Sequence, residues 1–395
     1  MKFIVSAGQL KSAMEKVSKA LPKTTTIPEL SNFLFTVKEK ALVISATNMR
    51  NTSSQEIELR SDGEVGQILV QPSLMKLLPK NMVELVTIGW NGDHKIVAKF
   101  ADNTTARIQG RIVEDYPETV DTTNLEKIEY AFLLGKASEK KMLMEDLKHS
   151  AHCAAKTEHS IQGMGGLYLV PNHNSDLEAM STDGNRMALG IIRGNYQGQD
   201  KRNPFPLPTE GLAILMDWIK RTNETAILSF YKGEGVHRKL IEMKTQTSRL
   251  LLLVGQDEML DYLEYIPEGK GRTENEKIRA SIDRKKFKAV LDKYNKVFDM
   301  KRLQLIFKEN GNHYIQYLEE GGPEVEIPFD HVGAVEEPVD CVDGDIGFNS
   351  QYLQEAMASM SGDKIKFFIG GQGMPGYFYS DDENQRTIIM SLFKP

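Results

Sequence analysis

Only two cysteines, Cys153 and Cys341, occur in 395 residues. No disulfide framework can hold such a chain, and a reducing compartment, the cytoplasm, is expected. Long apolar runs are missing too: stretches such as residues 250–254 are far too short to span a bilayer. Met1-Lys2-Phe3-Ile4-Val5 leads directly into strand-like sequence, with no apolar targeting region behind it. Nor is there a surplus of basic charge, since 49 Lys and Arg against 55 Asp and Glu leave a net charge of −6. That balance excludes coating of nucleic acid by bulk attraction, but allows basic residues gathered on one surface with the acidic ones elsewhere.

What is present is an ordinary globular composition, 40% apolar and 26% charged, in a chain long enough for two or three domains and a large core. One pattern recurs three times. A helix at 9–21 carries Leu10, Met14, Val17 and Leu21 on one side and Lys11, Lys16 and Lys19 on the other. Strands follow at 32–37, 41–47 and 52–59, then a short helix at 73–78 opened by Pro72, then strands at 83–88, 95–100 and 105–112. The second copy starts with a strand at 128–134 and a helix at 138–154 bearing Lys140, Lys141 and Lys148. It continues with strands at 166–170, 177–182 and 186–192, a Pro208-initiated helix at 209–221, and strands at 225–231, 239–244 and 248–254. The third has the most basic helix, at 283–297, with Arg284, Lys285, Lys286, Lys288, Lys293 and Lys296. Strands at 302–307, 313–318 and 324–329 precede a helix at 350–360 capped by Asn349, and strands at 364–369, 376–380 and 387–393 end the chain. From first to second helix, 9 to 72, 138 to 208 and 283 to 349, the offsets are 63, 70 and 66 residues. A fixed order at near-constant spacing is a repeat. Polar segments at 120–126 and 268–276 set domains of 1–125, 126–270 and 271–395, each an α+β unit of two helices on antiparallel strands.

Chemistry is poorly represented. His149, His152 and Cys153 lie at helical spacing with His159 beyond, but no carboxylate or cysteine pair completes a recognised metal set. Gly371-Gln372-Gly373-Met374-Pro375-Gly376 satisfies a G-x-G-x-x-G pattern, yet a strand follows where a dinucleotide site needs a helix, so it reads as a hairpin loop. Asp183-Gly184 is a tight-turn dipeptide between two strands, which leaves Arg186 near the surface. Asp183 has no nucleophile or base beside it in the sequence. No cofactor, no metal and no catalytic residue are expected.

Short motifs spread from end to end carry a resemblance. They are Met1-Lys2-Phe3, Ile27-Pro28-Glu29-Leu30-Ser31-Asn32, Ala46-Thr47-Asn48, Leu77-Leu78-Pro79, Thr182-Asp183-Gly184-Asn185-Arg186-Met187-Ala188, Asp261-Tyr262 with Ile266-Pro267, and Phe348-Asn349-Ser350-Gln351-Tyr352-Leu353. In order and spacing the chain resembles the bacterial DNA polymerase III beta subunit, the beta sliding clamp family. Asn185 stands where that family has His, and Met390-Ser391-Leu392-Phe393-Lys394-Pro395 departs from its usual ending, which marks a divergent member.

The resemblance implies three clamp domains and a head-to-tail homodimeric ring around double-stranded DNA, bound without regard to sequence. It implies a non-catalytic processivity factor that tethers a polymerase and meets the clamp loader through short peptides. The inner, DNA-facing residues would be Lys11, Lys16, Lys19, Lys23, Lys140, Lys141, Lys148, Arg284, Lys285, Lys288, Lys293 and Lys296, which balance phosphate charge without reading bases. Thr24 stands at a position where the family has a DNA-contacting arginine. By the same resemblance a partner-peptide pocket is built from Met164, Thr182, Gly184, Asn185, Arg186, Met187, Tyr265, Ile388 and Met390, with methionines as an adaptable floor.

Two candidate edge strands, 104–112 and 324–329, would close the ring, with Arg107, Ile108 and Arg111 facing Glu324 and Glu326 of a second copy. The alternative is a clamp-like interaction protein, encoded by a phage or mobile element, that binds replication factors without itself loading on DNA.

Overall fold

The computed structural model describes residues 1–92, 95–118, 120–123, 125–155, 164–171, 176–193, 195–197, 204–232, 239–255, 278–298, 301–308, 311–319, 322–338, 344–370 and 373–392. The expected order recurs three times, and the chain groups into two compact units.

Unit 1 comprises Met1–Lys140, Gly194–Gln199 and Glu210–Gln256. One antiparallel sheet of 13 strands organises it. In spatial order these are β1 (Lys2–Ser6), β6 (Leu85–Trp90), β7 (Lys95–Phe100), β8 (Thr105–Arg111), β5 (Gly66–Val70), β2 (Phe33–Val37), β3 (Ala41–Thr47) and β4 (Asn51–Glu58). The order continues through β17 (Ser248–Leu253), β16 (Lys239–Lys244), β15 (Thr225–Lys232), β9 (Glu126–Leu133) and β13 (Asn195–Gln197). β2 and β3 alternate buried and half-buried residues, the period of a sheet with one face in a core. Helix α1 (Ala7–Val17) starts where Ser6 Oγ accepts from Gln9 N–H, and lays Leu10, Ala13, Met14 and Val17 against Phe3, Phe33 and Phe35. Each such aromatic contributes about 1.5–3 kcal/mol by leaving water. β4 pairs with β17 from Asn51↔Leu252 to Gln55↔Ser248, so the sheet of the first repeat continues directly into that of the second.

Unit 2 comprises Lys141–Arg193, Asp200–Thr209 and Asp257–Pro395. Its larger sheet has nine strands in the order β14 (Phe205–Leu207), β10 (Leu167–Pro171), β11 (Asp176–Thr182), β12 (Arg186–Arg193), β26 (Gln385–Ile389), β25 (Gly376–Ser380), β24 (Lys364–Ile369), β18 (Ile278–Asp283), β22 (Gly333–Pro338). A four-stranded sheet runs β21 (Glu324–Pro328), β20 (Tyr314–Leu318), β19 (Arg302–Phe307), β23 (Gly344–Asn349). Helix α5 (Arg284–Tyr294) is capped by Asp283, which accepts from Lys286 N–H, and α6 (Ser350–Ser359) by Asn349, which accepts from Gln351 and Tyr352 N–H. Phe287, Val290 and Leu291 of α5 share one core with Leu353, Ala356 and Met357 of α6. β12 pairs with β26, so here the second repeat continues into the third.

The helix expected at 209–221 and the strands expected at 41–47, 95–100, 239–244, 302–307, 364–369 and 376–380 form with those bounds. β24 and β25 pair antiparallel, which makes the glycine-rich segment between them a hairpin connection. β5, β13, β14, β18, β22 and β23 were not anticipated. β18 shows strict alternation of buried and half-buried residues and was legible. β13 and β14 are only three residues each, too short for a periodic signal.

Candidate functional site

The β11–β12 hairpin turns on Thr182-Asp183-Gly184-Asn185-Arg186. Gly184 has φ +87°, a left-handed conformation that costs L-residues with a Cβ, and the position a Cβ would take lies 3.2 Å from Met164 Cε. Asp183 Oδ1 accepts from the N–H groups of Asn185 and Arg186, an Asx turn. Thr182 Oγ1 donates to Arg186 O at 2.8 Å and accepts from Gly184 N–H. Both faces of the turn are therefore fixed by side chains of the turn itself.

Beyond it, register places Arg186 opposite Ile389 and Met187 opposite Ile388 across the β12–β26 ladder. Met390 N–H donates to Asn185 O at 2.9 Å, which carries the chain past the turn. Met187, Ile388, Leu189, Met180 and Tyr168 form an apolar cluster, with Tyr377 against it and Met390 left 45% exposed. Thus eight of the nine expected pocket residues gather around one turn; Tyr265, like the Asp261-Tyr262 and Ile266-Pro267 motif, lies outside the described residues.

Arg186 corrects the expectation that it sits near the surface. Its side chain is 3% exposed, with Nε donating to Asp183 Oδ2 at 3.0 Å and Nη1 to Glu355 Oε2 at 2.5 Å. Its guanidinium lies 4.2 Å over the Tyr352 ring. Tyr352 and Glu355 are three residues apart and so share a face of α6. That spacing was visible in the sequence; the pairing with Arg186 was not.

Behind the turn, His149 is fully buried. Its Nε2 lies 3.1 Å from both Leu189 O and Arg386 O, which can only accept, so Nε2 carries the proton; Nδ1 is 3.1 Å from Ser359 Oγ. One imidazole thereby ties α3 (Ala137–Ala151) to β12, β26 and α6. Burial, then neighbouring His152, lowers the His149 pKa to about 3, and burial lowers that of His152 to about 4. Burial likewise pushes the Cys153 thiol up. Among the described residues no group of His, Cys, Asp and Glu is arranged to hold a metal, and His159 and Cys341 lie outside them.

The basic set divides. Lys16 is a correction: it is buried, Nζ donates to Ser248 Oγ at 2.8 Å and lies 4.6 Å over the Trp218 ring, and burial lowers its pKa to about 8. α4 (Thr209–Arg221) and β17 cover this flank of α1, which the sequence of one helix cannot reveal. Lys11 donates to Leu78 O, Lys140 to Lys220 O, Thr222 O and Asn223 Oδ1, and Arg284 to Gly362 O and Met357 O. Lys141, Lys285 and Lys288 pair with Glu145, Asp363 and Asp292. Lys19, Lys23, Lys148, Lys293 and Lys296 are exposed. Among the described residues no helix is long and apolar enough to cross a membrane.

At the expected edges, β8 pairs with β7 over Thr105–Gln109 but meets β5 only at Gly110 and Arg111. β21 has one neighbour, β20, among the described strands. Arg107, Arg111, Glu324 and Glu326 are exposed, with Glu324 accepting from Gln316 Nε2 at 2.5 Å. Ile108 is a correction: strand alternation turns it to the other face, into the core of unit 1 at 5% exposure.

Known proteins can now be set beside this geometry. Residues 1–121 match the family described as DNA polymerase III beta subunit, N-terminal domain. A beta sliding clamp from Rickettsia bellii is 23% identical over 398 residues, covering 95% of this chain and 94% of its own length. One from Staphylococcus aureus is 22% identical over 387 residues, covering 95% and 94%. Among solved structures, the DNA polymerase III subunit beta of Pseudomonas aeruginosa superposes with TM-score 0.81 at 17% identity over 99% of this chain and 100% of that one. A second structure from that organism, bound to griselimycin, gives 0.83 at 17% over the whole of both chains. The N-terminal match, the full-length relatives and the shared fold agree: residues 1–121 match the DNA polymerase III beta subunit N-terminal domain, the whole chain is similar to beta sliding clamps, and its fold is theirs.

Proposed function

We propose that this chain is a DNA sliding clamp, a processivity factor that encircles duplex DNA and tethers a replicative polymerase. Near end-to-end correspondence with beta sliding clamps, 95% of this chain against 94% of the Rickettsia bellii protein, carries the reading. Its task needs no catalytic step: closing around DNA converts weak phosphate contacts into long residence. Three clamp domains, 1–125, 126–270 and 271–395, form each protomer. Two protomers close head to tail, the β8 edge of one against the β21 edge of its partner, with Arg107 and Arg111 meeting the acidic edge of Glu324 and Glu326. Exposed Lys19, Lys23, Lys148, Lys293 and Lys296 provide the sequence-independent DNA contacts.

Polymerase and clamp loader engage the turn at Gly184 through short segments of the Gln-Leu-Ser-Leu-Phe kind, whose Leu and Phe enter the cleft of Met187, Ile388, Met390 and Met164. Burying two such side chains contributes about 1.5–3 kcal/mol each before ordering costs, which corresponds to micromolar affinity. The griselimycin complex of the Pseudomonas aeruginosa clamp supports a ligand-binding function for this fold.

Loading decides between this reading and a clamp-like binder that never encircles DNA, which the relatives favour less. With a matching loader, the protein should stay on nicked circular DNA at salt that strips ordinary binders and leave after linearisation; equal retention on both forms refutes encirclement. Met187→Lys puts a charge on the apolar wall and should weaken a labelled Gln-Leu-Ser-Leu-Phe peptide at least tenfold in fluorescence anisotropy. Unchanged affinity in a folded Met187→Lys dimer refutes the pocket.

A further inference from the structure

One aromatic side chain at the cleft carries a polar group that the fold itself does not use. Tyr377 on β25 lies directly opposite Ile388, and Ile388 lies opposite Met187. Residues paired in this way point to the same face of a sheet, so Met187, Ile388 and Tyr377 form one row across three strands. Met187 and Ile388 are buried, whereas Tyr377 packs on their cluster and is only half-buried.

Neighbouring rings on this face of β24 and β25 are engaged. Phe368 meets the Tyr379 ring edge-on at 5.5 Å and lies 5.4 Å beneath the guanidinium of Arg279. Tyr379 in turn lies 5.5 Å beneath that of Arg386. Among the described residues Tyr377 has no ring partner, no cation over it and no hydrogen bond to its hydroxyl. Burial alone raises the pKa of that hydroxyl, so it is partly withdrawn from water with no partner in exchange. The hydroxyl of Thr182, by contrast, both donates and accepts within the turn.

A segment whose anchors fill the cleft would complete the desolvation of the Tyr377 hydroxyl. Beside a purely hydrocarbon anchor such as Phe, that hydroxyl has neither water nor a partner, which costs more than a neutral hydrogen bond returns. An anchor of the same shape with a polar tip removes the cost, since two phenols can donate to and accept from one another. The floor side chains of Met187 and Ile388 offer no such bond. We infer that Tyr377 is a specificity-determining residue of the cleft and selects partner segments whose aromatic anchor is Tyr over those with Phe. The inference rests on the peptide-pocket reading above.

The experiment uses the full-length protein and two labelled peptides, Gln-Leu-Ser-Leu-Phe and Gln-Leu-Ser-Leu-Tyr, in fluorescence anisotropy against wild type and Tyr377→Phe. The substitution keeps the ring and breaks no hydrogen bond among the described residues, and thermal melts check that the fold is retained. Wild type should bind the Tyr peptide at least as tightly as the Phe peptide. In Tyr377→Phe the Phe peptide should gain on the Tyr peptide about fivefold, the net worth of one neutral hydrogen bond read as a double-mutant cycle. A wild type that prefers the Phe peptide, or a ratio that Tyr377→Phe leaves unchanged, overturns the inference and leaves the pocket standing. Equal weakening of both peptides also overturns it, because the hydroxyl then holds the segment's backbone and not its anchor. Failure of both peptides to bind wild type overturns the pocket and the inference together.

Discussion

Replacing Lys16 by Met tests whether a lysine on a basic helix belongs to the DNA surface or to the protein interior. Methionine keeps the aliphatic stem against Trp218 and removes the charge. The ammonium's pKa falls from 10.5 to about 8, chiefly through burial, with Glu224 opposing. That lowering amounts to about 3 kcal/mol of cost for holding the charge at neutral pH. Against this, the variant loses the bond to Ser248 Oγ, about 1 kcal/mol, and the contact over the Trp218 ring, about 1–2 kcal/mol. Ser248 Oγ keeps Thr245 Oγ1 at 2.9 Å, so no buried hydroxyl is orphaned. Lys16→Met should therefore be neutral to about 1 kcal/mol more stable at pH 7.

The pH dependence has a definite sign. Below about pH 8 both folded and unfolded Lys16 are charged and the full cost is present; between about 8 and 10.5 the folded amine sheds its proton first and the cost fades. Wild type should gain on the variant across that window. Urea titrations at three pH values, followed by tryptophan fluorescence, measure the difference, and retention on circular DNA should be unchanged. A variant more than about 1 kcal/mol less stable at pH 7, a gap that ignores pH, or lost retention refutes the reasoning.

Charge reversal at Arg107 and Arg111 should shift the proposed dimer, about twice 44.5 kDa, toward monomer in light scattering; a wild-type monomer at micromolar concentration contradicts the proposed assembly. Gly184→Ala forces a Cβ into φ +87° against Met164, and should cost about 1–2 kcal/mol in thermal melts and weaken the cleft peptide. His149→Gln should cost about 1–3 kcal/mol at pH 7, because carbonyls of β12 and β26 lose their donor. Since the folded His149 pKa lies near 3 and the unfolded one at 6.5, wild-type stability is complete above 6.5 and drains as pH falls, so the gap to His149→Gln should narrow toward pH 5.

Local periodicity determined the helices, most strands and their three-fold recurrence, because amphipathic spacing and caps such as Asn349 and Asp283 act within a few residues. The turn at Asp183-Gly184 was equally local, since its hydrogen bonds close within five residues. What the sequence could not decide was which charges meet. Lys16 and Ser248 are 232 positions apart, Arg186 and Glu355 169, and His149 and Arg386 237. Burial of Lys16, burial of Arg186 against Tyr352 and Glu355, and the neutral His149 all depend on the sheet of one repeat continuing into that of the next. Tertiary pairing at β4–β17 and β12–β26 made those decisions, because desolvation depends on everything that covers a group and not on its own helix alone.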